Sequence, residues 1–509
     1  MTRRGGTGRR PLLAVLAAAF AALAVAAAVL LVDTDTSLAV GENVFANAGG
    51  IIDANNSPSL ARNPRDPANV VVSHRQDQPG FSAALEVSFD GGRAYQTTVL
   101  PLPAGLDRPF APDAAFAPDG TLYVSYVNLQ GNGNRPDNLW VARSSDGGRT
   151  LADPVRVAGA LSFQARIVVG RTGAVHLTWL KVGDVAPYAI VGYPSPIVAA
   201  TSTDGGRTFS EPVQVSDADR MRVAAASPVV DAAGNLVVLY EDFGNDSRDF
   251  LNLDGPVWDG TFTLVVSVSK DGGKTFGKGV EVDAGVVPTK RFLVFLPEFP
   301  ALAAGPGRTL YAAWADGRNG DLDVLVRRSD DGGATWEPPV RANTNPLKDG
   351  TDQYMPRLSV APDGRLDVLF LDRRRDPRNI LTDAELAISR NRGKSFENIR
   401  VSSAPFDSRV GFIANSKLEA DFGSRLGLAS TKTAALAVWT DTRLGVVDTA
   451  RQDIAAAPVT VSTTTTSKAV RWPAAFGLAC LAFLCLGAWW TSGRGRMAGD
   501  GVETEEDDG

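Results

Sequence analysis

Three short stretches pair an acid with a base at fixed distance: Asp316-Gly317-Arg318, Asp372-Arg373-Arg374 and Asp441-Thr442-Arg443. Residues two apart in an extended chain share a face. Each unit can therefore close an ion pair or present its guanidinium to an anionic ligand. Two readings stand: a charged ring that holds a polar or anionic ligand, and a belt of structural ion pairs. Two longer stretches mix aromatics with carboxylates. Residues 182–196 contain Asp184, Tyr188 and Tyr193, and residues 241–260 contain Asp242, Phe243, Asp246, Arg248, Asp249, Phe250, Asp254 and Trp258. Loops of this length in a compact domain are often functional. Their rings suit stacking on a sugar, and their acids suit its hydroxyls or a Ca²⁺ ion held through oxygen. No other cofactor is indicated. His74 and His176 stand alone, which makes them ordinary strand residues and not bases.

Composition removes several classes. The chain has 509 residues, 44% hydrophobic and 21% charged, which is globular composition. A formal net charge of −6 argues against nucleic-acid binding, which needs a basic stripe. With 2 His and 2 Cys a zinc site has too few ligands. Cys480 and Cys485 share one apolar run, so no disulfide framework is expected elsewhere.

The elements that must position these residues come from a repeat. The boxes SFDGGRAY, SSDGGRTL, STDGGRTF, SKDGGKTF, SDDGGATW and SRNRGKSF carry Asp90, Asp146, Asp204, Asp271, Asp331 and Asn391 at their third positions, spaced by 56, 58, 67, 60 and 60 residues. Gly supplies the positive φ of a hairpin turn. The Asp carboxylate and the Ser or Thr hydroxyls can accept backbone N–H groups across it. The box is thus a folding staple, and these Asp residues are structural. Around each box runs a strand, turn, strand, loop, strand, boxed hairpin, strand pattern, clearest from Pro300. A seventh unit, Leu426–Val459, has three strands and no box. Seven units of about 60 residues match the 422 residues of 40–461. The expected fold is an all-β, seven-bladed β-propeller, with a six-bladed ring as the alternative. A closed ring leaves no exposed sheet edge, so Asn43–Ala48 is expected to supply the missing outer strand of the last blade.

The ends lie outside this fold. Residues 1–39 hold Arg3, Arg4, Arg9 and Arg10, then an apolar run from Pro11 to Val32. They read as a signal peptide cleaved near Ser37-Leu38-Ala39, or as an uncleaved signal anchor. A Thr-rich stalk spans 462–472, an 18-residue transmembrane helix 473–490, and an acidic tail 491–509. The N-terminal arginines hold that end inside. The propeller is then extracytoplasmic and the tail cytoplasmic, at the cell membrane.

The boxed repeat resembles the Asp-box (BNR) repeat of the sialidase superfamily. That resemblance implies a propeller and, by family default, a glycoside hydrolase with a Tyr nucleophile backed by Glu, an Asp acid/base and three Arg on the substrate carboxylate. Two family signatures depart here. Where Arg is expected in a Phe-Arg-Ile-Pro-like opening, blade five has Glu298. Where Tyr-Ser should open blade four, there is Ala226-Ser227, although Tyr240-Glu241 follows. The catalytic candidates are then Glu298, Glu241, Asp316 and Tyr354, the last one position out of register. Ligand-binding candidates are Arg318, Asp372, Arg374, Asp441, Arg443, Tyr188, Tyr193 and Trp258. The favoured reading is a non-catalytic, monomeric ectodomain that binds a glycan or a surface protein, against an exo-sialidase or other glycosidase. An acidic face centred on Glu298 is expected to repel a carboxylated sugar.

Overall fold

In the computed structural model the described residues are 32–47, 49–131, 135–182, 195–220, 222–244, 261–287, 298–413, 420–467 and 484. Two compact units emerge: Ala39–Thr460, and the two ends Met1–Leu38 with Val461–Gly509.

The first unit is a seven-bladed propeller of antiparallel sheets. Blade one is Asn55–Arg62, Val70–Gln76, Ser82–Ser88 and Gln96–Val99, from the inner strand outward. Blades two to six repeat this order, with inner strands Pro109–Phe116, Ser162–Val169, Val223–Val230, Ala301–Ala304 and Gln353–Val360. Blade seven takes Gly427–Ser430, Ala434–Asp441 and Asp453–Ser467 from the end of the ring. Its outer strand comes from the beginning. Val44 pairs with Ala456 and Phe45 with Ala455, so the closing strand is the expected one and six blades are excluded.

Of the terminal unit, residues 32–38, 461–467 and 484 are described; strand Val32–Val40 pairs with strand Asp453–Ser467. The small-residue site Ser37-Leu38-Ala39 falls within this strand, and strand structure runs through the first six residues of the Thr-rich stretch, to Ser467. The apolar run up to 31 and the segment 473–490 lie outside the described residues, Leu484 excepted. Among the described residues no helix is long and apolar enough to cross a membrane.

Alternation along each strand sends apolar side chains to both faces, because each blade is covered by a neighbour on either side. Apolar clusters fill the spaces between consecutive blades, from blades one and two to five and six and again between seven and one. Between blades six and seven the buried pair Arg365–Asp367 forms a bridge. Arg365 Nε and Nη2 donate to the carboxylate at 2.8 Å each, and the guanidinium reaches Lys432 O and Thr431 O at 3.0 Å.

The boxes behave as staples. In blade three Ser202 Oγ donates to Asp204 Oδ1 at 2.8 Å and accepts from Gly206 N at 2.9 Å. Arg207 N and Thr208 N donate to Asp204 Oδ1, each at 3.0 Å. The last residue of each box, Tyr95, Leu151, Phe209, Phe276, Trp336 or Phe396, packs on a blade interface. Gly148 shows why Gly is needed: its φ is +99°, and a Cβ there would sit 3.2 Å from both Leu122 and Val87.

Burial pushes the Asp146 and Asp331 carboxyls up. Bonds from Ser144, Thr150 and the turn amides outweigh this at Asp146, and bonds from Thr335, Ser329 and the turn amides do so at Asp331; each ends at about 2. A folded-state pKa below the unfolded value of about 4 means that this stabilisation is complete above about pH 4 and is lost as pH falls toward 2. Asn391 keeps the same turn, accepting from Ser395 N at 3.0 Å and donating to Ser395 Oγ at 2.7 Å. Asp331→Ala should therefore cost about 1–2 kcal/mol in urea unfolding at pH 7. Asp331→Asn should cost clearly less, and the gap between them should close by pH 2.

Candidate functional site

The inner strands are bulged at one shared level. In blade six Tyr354 pairs with Leu371 but Arg357 with Leu369, so one extra residue is inserted. Blades one to four shift likewise after Asn56, Phe110, Phe163 and Ala224. The inserted residues adopt left-handed backbone without being glycine: Ser57 (φ +53°), Ala111 (+49°), Gln164 (+55°), Ala225 (+57°) and Met355 (+57°). In blade seven the left-handed residue is Gly423 (+87°), which lies against Ser57 of blade one. Such backbone costs energy for a residue with a Cβ. Neighbouring blades hold the bulges in position: Gln164 Oε1 accepts from Ala225 N at 2.8 Å, Ser57 Oγ accepts from Ser424 N at 3.0 Å, and Glu298 Oε1 accepts from Met355 N.

Two residues beyond the bulge, one register position brings Ser59, Asp113, Arg166, Ser227 and Arg357 of blades one to four and six toward the axis, with Ala301 at the same position in blade five; Arg425 of blade seven joins them from two residues before its register equivalent, Gly427. Three arginines thus meet one aspartate. Arg166 Nε lies 3.3 Å from Asp113 Oδ2, an ion-pair distance without hydrogen-bond alignment. Asp113 also accepts from Ile167 N at 3.0 Å. Arg425 Nη2 donates to Ser57 O and Pro112 O, both at 3.3 Å. The Arg166 and Arg425 guanidinium carbons stand 5.6 and 5.9 Å from the centre of the Phe299 ring, within cation–π range. Burial, then repulsion from Arg166, draws Arg357 down to about 10 and Arg425 to about 9. Both stay charged at neutral pH. Arg357 is enclosed by protein but faces open space, because a cavity of about 250 Å³ runs along the axis, lined by Arg166, Arg357, Asp113, Ser227 and Arg62 among others.

This cluster was not found by sequence reasoning. The alignment of blade openings centred on the position two before Pro300 and Pro356, where family sialidases carry Arg. Arg166 and Arg357 sit one position after the equivalent of that Pro. Reading that column would have shown them.

Glu298 and Glu241 come together, as their shared charge repulsion shows. Burial lifts Glu298 to about 8 against the pull of the Met355 amide, and burial with repulsion from Glu298 raises Glu241 well above the carboxylate range. Glu298 is thus the cap of the blade-six bulge and largely neutral at pH 7, so it does not repel anions as its residue type suggests. The Tyr354 hydroxyl lies 3.1 Å from Thr382 Oγ1 and accepts from Arg373 Nη2 at 3.4 Å, with the Arg373 guanidinium 4.8 Å over its ring. Asp316 is apart, saturated by Trp314 Nε1 at 2.9 Å and by Arg318.

The three acid–base units form ion pairs directed away from the axis. Arg318 Nη2 lies 2.6 Å from both Asp316 and Asp283. Arg374 pairs with Asp372 at 2.6 Å and reaches Asn398 and Thr344 near the outer strands. Arg443 pairs with Asp441 at 2.6 Å and reaches Ser403 and Asn43. Trp439 Nε1 repeats the Trp314 contact, donating to Asp441 at 2.9 Å. The geometry is that of the ion-pair belt. Tyr188, Tyr193 and Trp258 lie outside the described residues, as do Asp246, Asp249 and Asp254. Among the described residues no three His, Cys, Asp or Glu groups converge as a metal set. His176 Nδ1 is 2.9 Å from Thr201 Oγ1, and burial lowers it to about 4; His74 Nε2 meets Glu86 at 3.1 Å.

No family model and no curated protein matches the sequence. Among solved structures, a Dyadobacter fermentans protein of unknown function is 13% identical, with 84% of this chain and 99% of that one covered at TM-score 0.47. A Hadza microbial sialidase is 14% identical over 79% and 74% of the chains at TM-score 0.43. A phage phi92 endosialidase is 9% identical over 83% and 69% at 0.47. Likeness at this level speaks to neither ligand nor activity.

A raised carboxyl pKa has a stability signature. No penalty applies below the unfolded value near 4.5. Stability then falls as pH rises toward 8, because only the unfolded chain releases the proton freely. Glu298→Gln keeps an acceptor for Met355 N and removes the titration. Its stability relative to the parent should rise by about 1–2 kcal/mol between pH 5 and 8, the ideal linkage value being reduced by the part of the carboxyl that solvent reaches. Denaturant unfolding at the two pH values measures this.

Proposed function

We propose that this chain is a membrane-anchored, extracytoplasmic propeller whose loop face binds a glycan or a surface protein without turning it over. The observation that carries the reading is the state of Tyr354. A tyrosine nucleophile needs a base beside its hydroxyl, whereas Tyr354 bonds to Thr382 and Arg373. The guanidiniums of Arg318, Arg374 and Arg443 are engaged in ion pairs, which leaves binding to the aromatic loops 182–196 and 241–260. Because burial lifts Glu298 to about 8, and with repulsion from Glu298 raises Glu241 as well, acidic sugars are admissible ligands. Glycoside hydrolysis is the second reading. The adjacent Glu241 and Glu298 favour it, since a neutral carboxyl in an enclosed site is a fit general acid.

A glycan array and a sialoside hydrolysis assay on the purified chain separate the two. Binding without turnover is expected, weakened at least about tenfold by Trp258→Ala and unchanged by Asp331→Ala. Turnover abolished by Tyr354→Phe or Glu298→Gln would establish the enzyme reading instead.

The proposed topology has its own test. Protease added to intact cells should release the propeller and spare the acidic tail; digestion of the tail would reverse the orientation.

A further inference from the structure

The axis of the ring carries more positive charge than its protein partners balance. Among the described residues Arg166, Arg357 and Arg425 face Asp113 alone, an excess of two charges, since nearby Arg75 is matched by Asp77 at 3.0 Å. A guanidinium does not escape burial by releasing its proton. Polar satisfaction is short as well: Arg166 Nε and Nη1, Arg357 Nε and Arg425 Nε are buried without an acceptor. Arg357 has neither a hydrogen bond nor an ion pair among the described residues. Arg166 and Arg357 line the axial cavity of about 250 Å³. Its walls are the apolar inner-strand residues Ala61, Ala115, Val168 and Val229, and Arg62, with Nε also lacking an acceptor, stands at its far end.

The cavity lies on the boxed-turn side of the bulges. Its lining runs from Arg166 and Arg357 toward the ends of the inner strands at Arg62, Phe116 and Val229. It is therefore separate from the loop face and independent of the function proposed there. Water could fill the hydrogen bonds, but it brings no charge. The volume is that of several waters at about 30 Å³ each, which suits a small, partly hydrated ion and not a sugar chain.

We infer that the axial channel binds a small inorganic anion, a halide or phosphate, between Arg166 and Arg357 as the resident counter-ion of the propeller. Charge-assisted N–H donors from blades three and six then converge on one ion, with Arg425 of blade seven beside it. The anion then ties blade three to blade six across the axis.

An ion that binds only the folded ring raises its melting temperature by mass action. The probes are sodium chloride and sodium phosphate, each replacing the sodium salt of a bulky sulfonate at constant ionic strength, with the full chain as sample. A Tm rise of about 1–2 °C per tenfold increase in anion is expected once the site is half filled. The steeper of the two series identifies the ion. Arg357→Met should abolish this dependence, and Arg409→Gln, on an exposed guanidinium, should leave it intact. An equal response in the parent and Arg357→Met would overturn the inference. Should Arg357→Met fail to fold, crystals of the parent soaked in bromide decide: an anomalous peak within about 3.5 Å of the Arg166 and Arg357 guanidiniums is expected, and its absence would refute the site.

Discussion

Closure of the ring rests on two residues of strand. Val44 and Phe45 add to the edge left by Asp453–Ser467, so the first and last parts of the propeller share one sheet. A seventh blade of three strands would present an open edge, with unpaired amides and carbonyls ready to pair with another chain. The seam has further ties. Asn47 Nδ2 donates to Asp453 at 3.1 Å, and Asn43 reaches Val401 O and Ser403 N from across the chain. Blade seven and blade one then pack as the other neighbours do, with Leu60, Val70 and Val72 against Leu436, Val438 and Ile454.

Because the ring closes, its seven inner strands converge, and their convergence creates the electrostatics of the axis. Blades one to six each contribute one side chain at the same register position, and Arg425 of blade seven reaches in beside them. Three of these side chains are arginine. In a single sheet such residues would be spread over a wide surface and solvated. Here they share one narrow space with a single aspartate, and a phenylalanine ring accepts two of the guanidiniums. Strained backbone is repeated at the same level, held by side chains from neighbouring blades. Glu298 is one of them, and its burial explains both its raised pKa and its place beside a bulge amide.

The outer parts of the molecule use ion pairs differently. Asp316, Asp372 and Asp441 are buried and saturated, and their arginines lie over the outer strands. This arrangement makes a repeated belt out of residues whose types also suit ligand binding. What remains for recognition is the axis, where charge is in excess, together with the loop face proposed above.

Much of this was legible in the sequence. The box recurs with near-constant spacing, so the blades could be counted, and the missing fourth strand of the last unit pointed to the segment before the first. The Asp-x-Arg spacing places acid and base on one strand face, and the ion pairs follow from that local geometry. The axial site was not legible in the same way. Arg166, Arg357 and Arg425 are far apart in the chain, and each is an ordinary residue in its own repeat. Only the ring brings them within interaction distance. The bulges are equally hidden: outside blade seven the residues with positive φ are Ser, Ala, Gln and Met, which carry no glycine mark, and one inserted residue reverses which side chains face inward. Whether a carboxyl is charged was likewise a tertiary matter. Glu298 reads as an anion by type, and enclosure between blades makes it largely a neutral acid at pH 7.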